Sequence, residues 1–453
     1  MTNNKTSDMT VNKKKFYIAL VIFSLVGQIA WVVENMYFNV FIYKMFNASA
    51  ENIALMVEAS AVAATLTTIF IGALSDKIGK RKIFMCAGYI AWGVSILSFS
   101  LVRLDVIKAV FGTAINAAAA GVTIVIILDC VMTFFGSSAN DAAYNAWLTD
   151  MTTEKNRGAA EGINSMMPLI AILVVFGGFM GFDLSVPSSW TWIYIIIGAV
   201  VLVIGVLGFF IVEDAPSVKT DELGYFKTIL YGFRPSVIKE NRKLYFTLLG
   251  FIIFGISIQV FMPYLLIYYE QTLGMSDYVL IMAPAIIFAA VVTAFYGKLI
   301  DKWGFYKSLF PSLGMLALGF ILLFVFPGMI RVEGITMKIP VFIGSLLMMS
   351  GYLTGMAVFG AKIRNDTPEH MAGRFQGLRI VSQVLVPGVV GPAIGAMVLK
   401  NAETITNSDG TTSFLPSNMI FLAALAVEVV LTVGVVVYIL ATQGKKENEE
   451  EIG

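Results

Sequence analysis

Twelve stretches of about twenty predominantly apolar residues recur along this chain, and about twenty is the length a helix needs to cross the hydrocarbon core of a bilayer. They lie near residues 16–44, 52–74, 83–102, 124–150, 163–183, 190–212, 243–269, 277–299, 306–327, 340–363, 375–399 and 416–441. Inside a bilayer every backbone polar group must be paired within the protein, so runs of this length and number are expected to be helices. The expected fold is all-α and integral to the membrane, with twelve transmembrane helices. Composition agrees, with 58% of the residues hydrophobic and 13% charged, where a soluble domain is about a quarter charged. A net charge of +1 gives no field for nucleic acid. Cys86 and Cys130 sit in apolar runs and His370 is the single histidine, so neither a disulfide framework nor a metal site is expected. No phosphate-cradling glycine loop, HExxH or GxSxG motif occurs, so no enzyme and no cofactor are expected.

A polar, basic segment divides the runs six and six. The expected organisation is a six-helix bundle over 1–212, a linker over 213–242 and a second six-helix bundle over 243–453 ending in the tail "GKKENEEEIG". The stretch 103–123 reads either as a surface helix or as the start of the fourth span. Of the 31 basic residues, all but Lys44, Arg103, Lys108, Arg331, Lys338 and Lys400 fall on the side of the termini, which by the positive-inside rule is the cytoplasmic side. The expected setting is a plasma membrane, in style a bacterial inner membrane, with the protein acting as a monomer. A sensor would need a soluble signalling domain, and the 213–242 linker is the largest non-membrane segment.

The two halves resemble each other. "GALSDKIGKRK" (72–82) aligns with "GKLIDKWGFYK" (297–307) at an offset of 225, which also carries Glu34 onto Gln259 and Tyr43 onto Tyr268. "AWLTDMTTEKNRGAAEGIN" (146–164) aligns with "AKIRNDTPEHMAGRFQGLR" (361–379) at an offset of 215. Two six-helix repeats in the same sense are an arrangement of transporters that rock two bundles about a midplane site.

The stretch "DCVMTFFGSSANDAAYNAW" (129–147) is unusually polar for its surroundings. At a spacing of four it places Asp129, Thr133, Ser137, Asp141 and Asn145 on one helix face, with Asn140 and Tyr144 beside them. That face would run through ~24 Å of the bilayer. A carboxylate facing lipid costs about 2.5–3.5 kcal/mol even on lenient scales, so this face is expected to line a wet cavity. In the first span Gln28, Trp31, Glu34, Asn35, Phe38 and Asn39 form a similar face, and its repeat contributes Gln259, Tyr264 and Tyr268. Aromatic rings beside amides and carboxylates suit a sugar; the same set could hold an amphipathic cation.

"GALSDKIGKRK" resembles the loop signature of the major facilitator superfamily, G-x-x-x-D-[RK]-x-G-[RK]-[RK], with a weaker copy at 297–307. The resemblance implies a gating role for Gly72, Asp76, Lys77, Gly79, Lys80 and Arg81, and for Asp301 and Gly304 in the copy. "NDAAYNAWLTDMTTEKNRG" is similar to the fourth helix of glycoside–pentoside–hexuronide cation symporters of the melibiose-carrier type. On that match Asp141 stands for the family's substrate- and cation-binding Asp, with Tyr144 and Trp147 near its aromatics. That type's acidic pair on the second helix is replaced here by Ala64 and Thr68, and its eleventh-helix Lys has no counterpart. The implied coupling ion is therefore H⁺ at Asp141 or Glu34 rather than Na⁺. The expected partners are the bilayer and a small polar solute, most simply a sugar or glycoside imported with a proton. A proton-coupled exporter of amphipathic compounds, using Glu34, is the second reading; "GPAIG" (391–395) falls in span eleven, where it serves helix packing.

Overall fold

The apolar runs fold as helices because nothing else satisfies their backbones in lipid. The computed structural model describes residues 13–112, 116–152, 156–214, 231–329, 335–367, 372–407 and 410–452. Among them are twelve helices long and apolar enough to span a membrane. Spans 1–6 are Lys13–Phe46, Ala50–Ser75, Arg81–Phe99, Ala117–Met151, Ala159–Phe179 and Pro187–Ile211. Spans 7–12 are Arg242–Thr272, Val279–Ile300, Lys302–Phe326, Lys338–Asp366, Gly377–Leu399 and Met419–Ala441. Large apolar side chains on their outer faces, such as Phe210, Phe295, Met397 and Leu440, are exposed, as lipid-facing groups must be. We call the end of the bundle that carries spans 1's start and 12's finish proximal, and the other end distal.

The ambiguous 103–123 stretch resolves into two pieces. Leu104–Phe111 is a short helix that ends at Gly112, where φ is 73°. Asn116 then starts span 4, its Oδ1 accepting the backbone N–H groups of Ala118 and Ala119 at 3.1 and 3.2 Å. This cap satisfies donors that the first turn of any helix leaves open.

Small residues set the closest helix contacts, as they do where helices pack in lipid. A Cβ built on Gly93 of span 3 would lie 2.5 Å from the backbone nitrogen of Leu202 in span 6. In the second half, a Cβ on Gly319 of span 9 would lie 2.4 Å from the nitrogen of Met348 in span 10. The two signature loops share one backbone feature. Gly79 and Gly304 both have positive φ, 69° and 75°, so the second glycine of each copy ends its helix in a conformation that L-residues disfavour. Gly72 is different, because a Cβ there would meet only Ala142 at 3.8 Å. Gly72 is therefore not a point of tight backbone approach. Lys77 and Lys80 are exposed. Arg81 is buried and bonds Ser75 Oγ at 2.6 Å and Asp150 Oδ2 at 3.0 Å. The side chains of Asp76 and Asp301 lie outside the described residues.

Candidate functional site

Spans 1, 2 and 4 bring the candidate carboxyl groups together. Span 1 widens into a π-turn at Val33–Tyr37 and span 4 into a longer one at Ser137–Tyr144. Such turns insert an extra residue and rotate the side chains beyond them, and they concentrate at functional sites. The four-residue stripe predicted for span 4 is broken by this register change. Its upper part, Asp129 and Thr133, points into the bundle. Its lower part, Asp141 and Asn145, is half-buried and exposed respectively.

Glu34 is the centre of the upper group. Ser60 Oγ and Thr133 Oγ1 both donate to Glu34 Oε1, at 2.7 and 2.9 Å, and the two hydroxyls lie 2.9 Å apart. Glu34 Oε2 is buried without a hydrogen-bond partner, and so is Asp129 Oδ1. The two carboxyl groups are within electrostatic reach of one another. A bare, buried carboxylate oxygen carries a large desolvation cost that binding a proton removes. One turn toward the proximal end, Ser137 Oγ donates to Asp141 Oδ2 at 2.9 Å. Asn145 Nδ2 donates to the Asp141 backbone carbonyl at 3.0 Å.

Beside the carboxyl groups lies an aromatic and amide platform. Trp31 Nε1 donates to Asn140 Oδ1 at 3.2 Å, Asn140 Nδ2 donates to Tyr89 OH at 2.8 Å, and Tyr89 OH donates to the Phe23 carbonyl at 2.6 Å. Two glycines make room for it. A Cβ on Gly27 would sit 2.3 Å from Asn140 Nδ2, and one on Gly136 would sit 2.9 Å from the Trp31 ring. Asn35 is exposed although it lies well inside span 1, and its Nδ2 donates to the Trp31 carbonyl. An exposed amide at that depth faces water, not lipid.

Other predicted residues lie elsewhere. Trp147 is fully buried, its ring tilted against that of Phe16, with Nε1 donating to the Glu213 carbonyl at 2.8 Å. Tyr264 is fully buried and donates to the Ala50 carbonyl at 3.1 Å, so it ties span 7 to span 2. Both are packing groups, enclosed by their neighbours. Tyr144 is buried and donates to Asn164 Oδ1 at 2.8 Å. Gln259 is half-buried against Gly391 of span 11. Ser60, Tyr89 and Gly27 went unnoticed in the sequence; Ser60 in particular sits in an ordinary run of small residues.

The distal end is held shut between the halves. Lys44 of span 1 pairs with Glu270 of span 7, and the two side chains are 7% and 18% exposed. The segment joining spans 11 and 12 forms an antiparallel hairpin, β1 (Thr404–Thr406) with β2 (Thr412–Phe414). It reaches across to span 1. Tyr43 OH donates to the Phe414 carbonyl at 2.7 Å, Asn47 Nδ2 donates to the Thr412 carbonyl at 2.6 Å, and Ser413 Oγ donates to Asn47 Oδ1. Nearby, Lys338 donates to Asp277 Oδ2 at 2.5 Å, and this bond holds the Asp277 carboxyl below its ordinary range. A groove of about 470 Å³ lined by Phe41, Phe99, Lys108 and Trp190 also lies at this end, away from the carboxyl groups. The geometry is thus a distal seal above buried carboxyl groups, with polar side chains exposed below them.

A family model described as Major Facilitator Superfamily matches residues 16–392. No curated protein sequence matches the chain. Among solved structures, a variant of the nucleoside transporter NupG superposes with a TM-score of 0.69 at 11% identity, over 91% of this chain and 97% of that one. A D-xylose–proton symporter superposes at 0.67 with 14% identity, over 92% and 97%. A bacterial homologue of the lysosomal transporter Spinster, inward-facing and unoccupied, superposes at 0.65 with 15% identity, over 95% and 98%. At these identities the likeness is one of fold.

Proposed function

Because this chain belongs to the Major Facilitator Superfamily and is a membrane transporter, we propose that it imports a small polar solute, a sugar or glycoside, together with a proton. The two six-span halves, 1–212 and 243–453, rock about the cleft below Glu34, with the 213–242 linker between them. The proximal end, carrying both termini and most of the basic residues, faces the cytoplasm. The observation that carries the reading is the Glu34 carboxyl, held on one oxygen by Ser60 and Thr133 and bare on the other, beside a Trp31–Asn140 platform.

Each part has a task. Trp31 offers a ring face for the apolar side of a pyranose, and Asn35, Asp141 and Asn145 offer acceptors and donors for its hydroxyls. Glu34 and Asp141 hold the proton, which neutralises a charge that is costly in the closed cleft. The Lys44–Glu270 pair and the hairpin seal the outer side while the inner side is open. Asp141 carries over the melibiose-type resemblance, and the D-xylose–proton symporter among the similar folds is in keeping with it. Uptake of labelled neutral sugars into proteoliposomes under an imposed pH gradient or an imposed Na⁺ gradient tests the proposal. Accumulation under the pH gradient supports it. No sugar moving under either gradient would overturn it and put the exporter of amphipathic compounds in its place.

A further inference from the structure

The short helix Leu104–Phe111 at the distal end divides two grooves, and transport of the solute uses neither. On one side lies the groove of about 470 Å³. Its floor is aromatic, with Phe41 of span 1, Phe99 at the end of span 3 and Trp190 of span 6, each at most 2% exposed. Its rim is charged and carries Arg103, Asp105 and Lys108. On the other side Leu101, Val106, Val110, Phe111, Ile124 and Leu128 line a smaller, apolar groove of about 220 Å³. Val102 borders both, so the two adjoin. The helix sequence produces this division, because Asp105 and Lys108 fall on one face and Val106 and Val110 on the opposite one.

The charges on the rim do not cancel. Arg103 Nε and Nη2 donate to Asp105 Oδ1 and Oδ2 at 3.0 and 2.9 Å, which leaves that pair neutral. Lys108 is exposed and makes no hydrogen bond or ion pair among the described residues. A basic residue away from the proximal end runs against the charge bias of the chain, since six of the 31 lie there. Of those six, Lys44 and Lys338 are held by the carboxylates of Glu270 and Asp277, a partner that Lys108 lacks. The apolar side is open as well, with Leu101, Val110 and Phe111 all exposed. An apolar patch beside an excess cation, at the rim of a membrane-spanning bundle, matches an amphiphile with an anionic head.

We propose that the two grooves together form a binding site for an anionic phospholipid of the distal leaflet. Lys108 holds the phosphodiester through a charge-assisted bond, and an acyl chain lies along the apolar groove against Val106, Val110 and Leu128. The occupant is a lipid because an acyl chain is what the second groove takes, and the bilayer supplies one at this level. The walls of the larger groove belong to spans 1, 3 and 6 and the short helix. The site therefore lies within the first half and is independent of which solute is carried.

The test uses the full-length protein in detergent, with phosphatidylglycerol and phosphatidylcholine added in equal amounts and bound lipid counted by native mass spectrometry. One unbalanced cation near lipid headgroups corresponds to about a five-fold preference for phosphatidylglycerol in the wild type. Lys108→Gln should bring the ratio to near one, and Lys108→Arg should keep it. Asp105→Asn, which frees Arg103, should raise it by a similar factor. Both positions are exposed, so a loss of fold does not account for shifts of opposite sign. Lys400→Gln, at an exposed distal cation outside both grooves, should leave the ratio at the wild-type value. Equal retention of the two lipids by the wild type would overturn the site. So would a preference that survives Lys108→Gln, an equal loss in Lys400→Gln, or a fall in Asp105→Asn. Glycerophosphoglycerol, the same headgroup without acyl chains, should not displace the lipid. Displacement at matched concentration would overturn the lipid and leave a site for a soluble phosphodiester.

Discussion

Breaking the Lys44–Glu270 pair should open the distal end. The pair joins span 1 to span 7, so it exists only while the two halves meet there. Exposed ion pairs contribute about 0.2–1 kcal/mol, whereas removing one partner of a buried pair costs about 3–5 kcal/mol because a charge is left without a partner. At 7% and 18% exposure this pair lies nearer the buried limit, and Lys44→Met should cost the sealed state about 2 kcal/mol. That corresponds to about a 30-fold rise in the population with the distal end open. Ala48 is 2% exposed at the seal, so Ala48→Cys, with Cys86 and Cys130 replaced by Ser, reports opening through its rate of labelling by a membrane-impermeant maleimide. Lys44→Met should raise that rate by a factor of tens. Adding Glu270→Gln should bring it partly back, since the stranded carboxylate is gone. An unchanged rate in Lys44→Met, or a double variant equal to the sum of its singles, would refute the reasoning.

Three further outcomes are expected. Gly304→Ala, at φ 75° and ψ 179°, should lower the thermal midpoint in detergent more than Gly72→Ala, because that backbone region costs a non-glycine residue about 1–3 kcal/mol. Gly27→Ala should keep the fold yet move Asn140 away from Tyr89 and Trp31, since its Cβ would overlap the amide; a shifted tryptophan emission with reduced solute binding would register it. The Asp277 carboxyl is held below its ordinary range chiefly by its bond to Lys338. Its stabilisation should be complete above the unfolded-state pKa of about 4 and lost as pH falls through the lower folded value. The gap in thermal midpoint between wild type and Asp277→Asn should therefore close only at acid pH.

The twelve spans and the paired signature loops were legible because each rests on a local rule: length and apolarity for the spans, and a positive-φ glycine for Gly79 and Gly304. The start of span 4 was not, since it is decided by the Asn116 cap and not by hydropathy. The polar face of span 4 was visible as a set of residues but not as a surface. The π-turn at Ser137–Tyr144 inserts a residue that four-residue counting ignores, which is why Asp129 is buried while Asp141 is only half-buried. Trp147 and Tyr264 went the other way: a ring with one polar atom serves a cleft or a packed joint equally well, and only the tertiary partners at Glu213 and Ala50 decide. Ser60 was hidden for the same reason, because its importance comes from Glu34 on another helix. The hairpin over 404–414 is too short and polar to stand out, and its meaning lies in Asn47 and Tyr43 across the seal.

The most direct test of the account is proton-driven uptake by Glu34→Gln. Proteoliposomes holding wild type or variant would be given an inward proton gradient and a labelled solute that the wild type accumulates, and exchange without a gradient would be measured alongside. The account predicts that Glu34→Gln, which keeps an acceptor for Ser60 and Thr133 but cannot bind the proton, still exchanges solute and no longer accumulates it. Full gradient-driven accumulation by Glu34→Gln would contradict it.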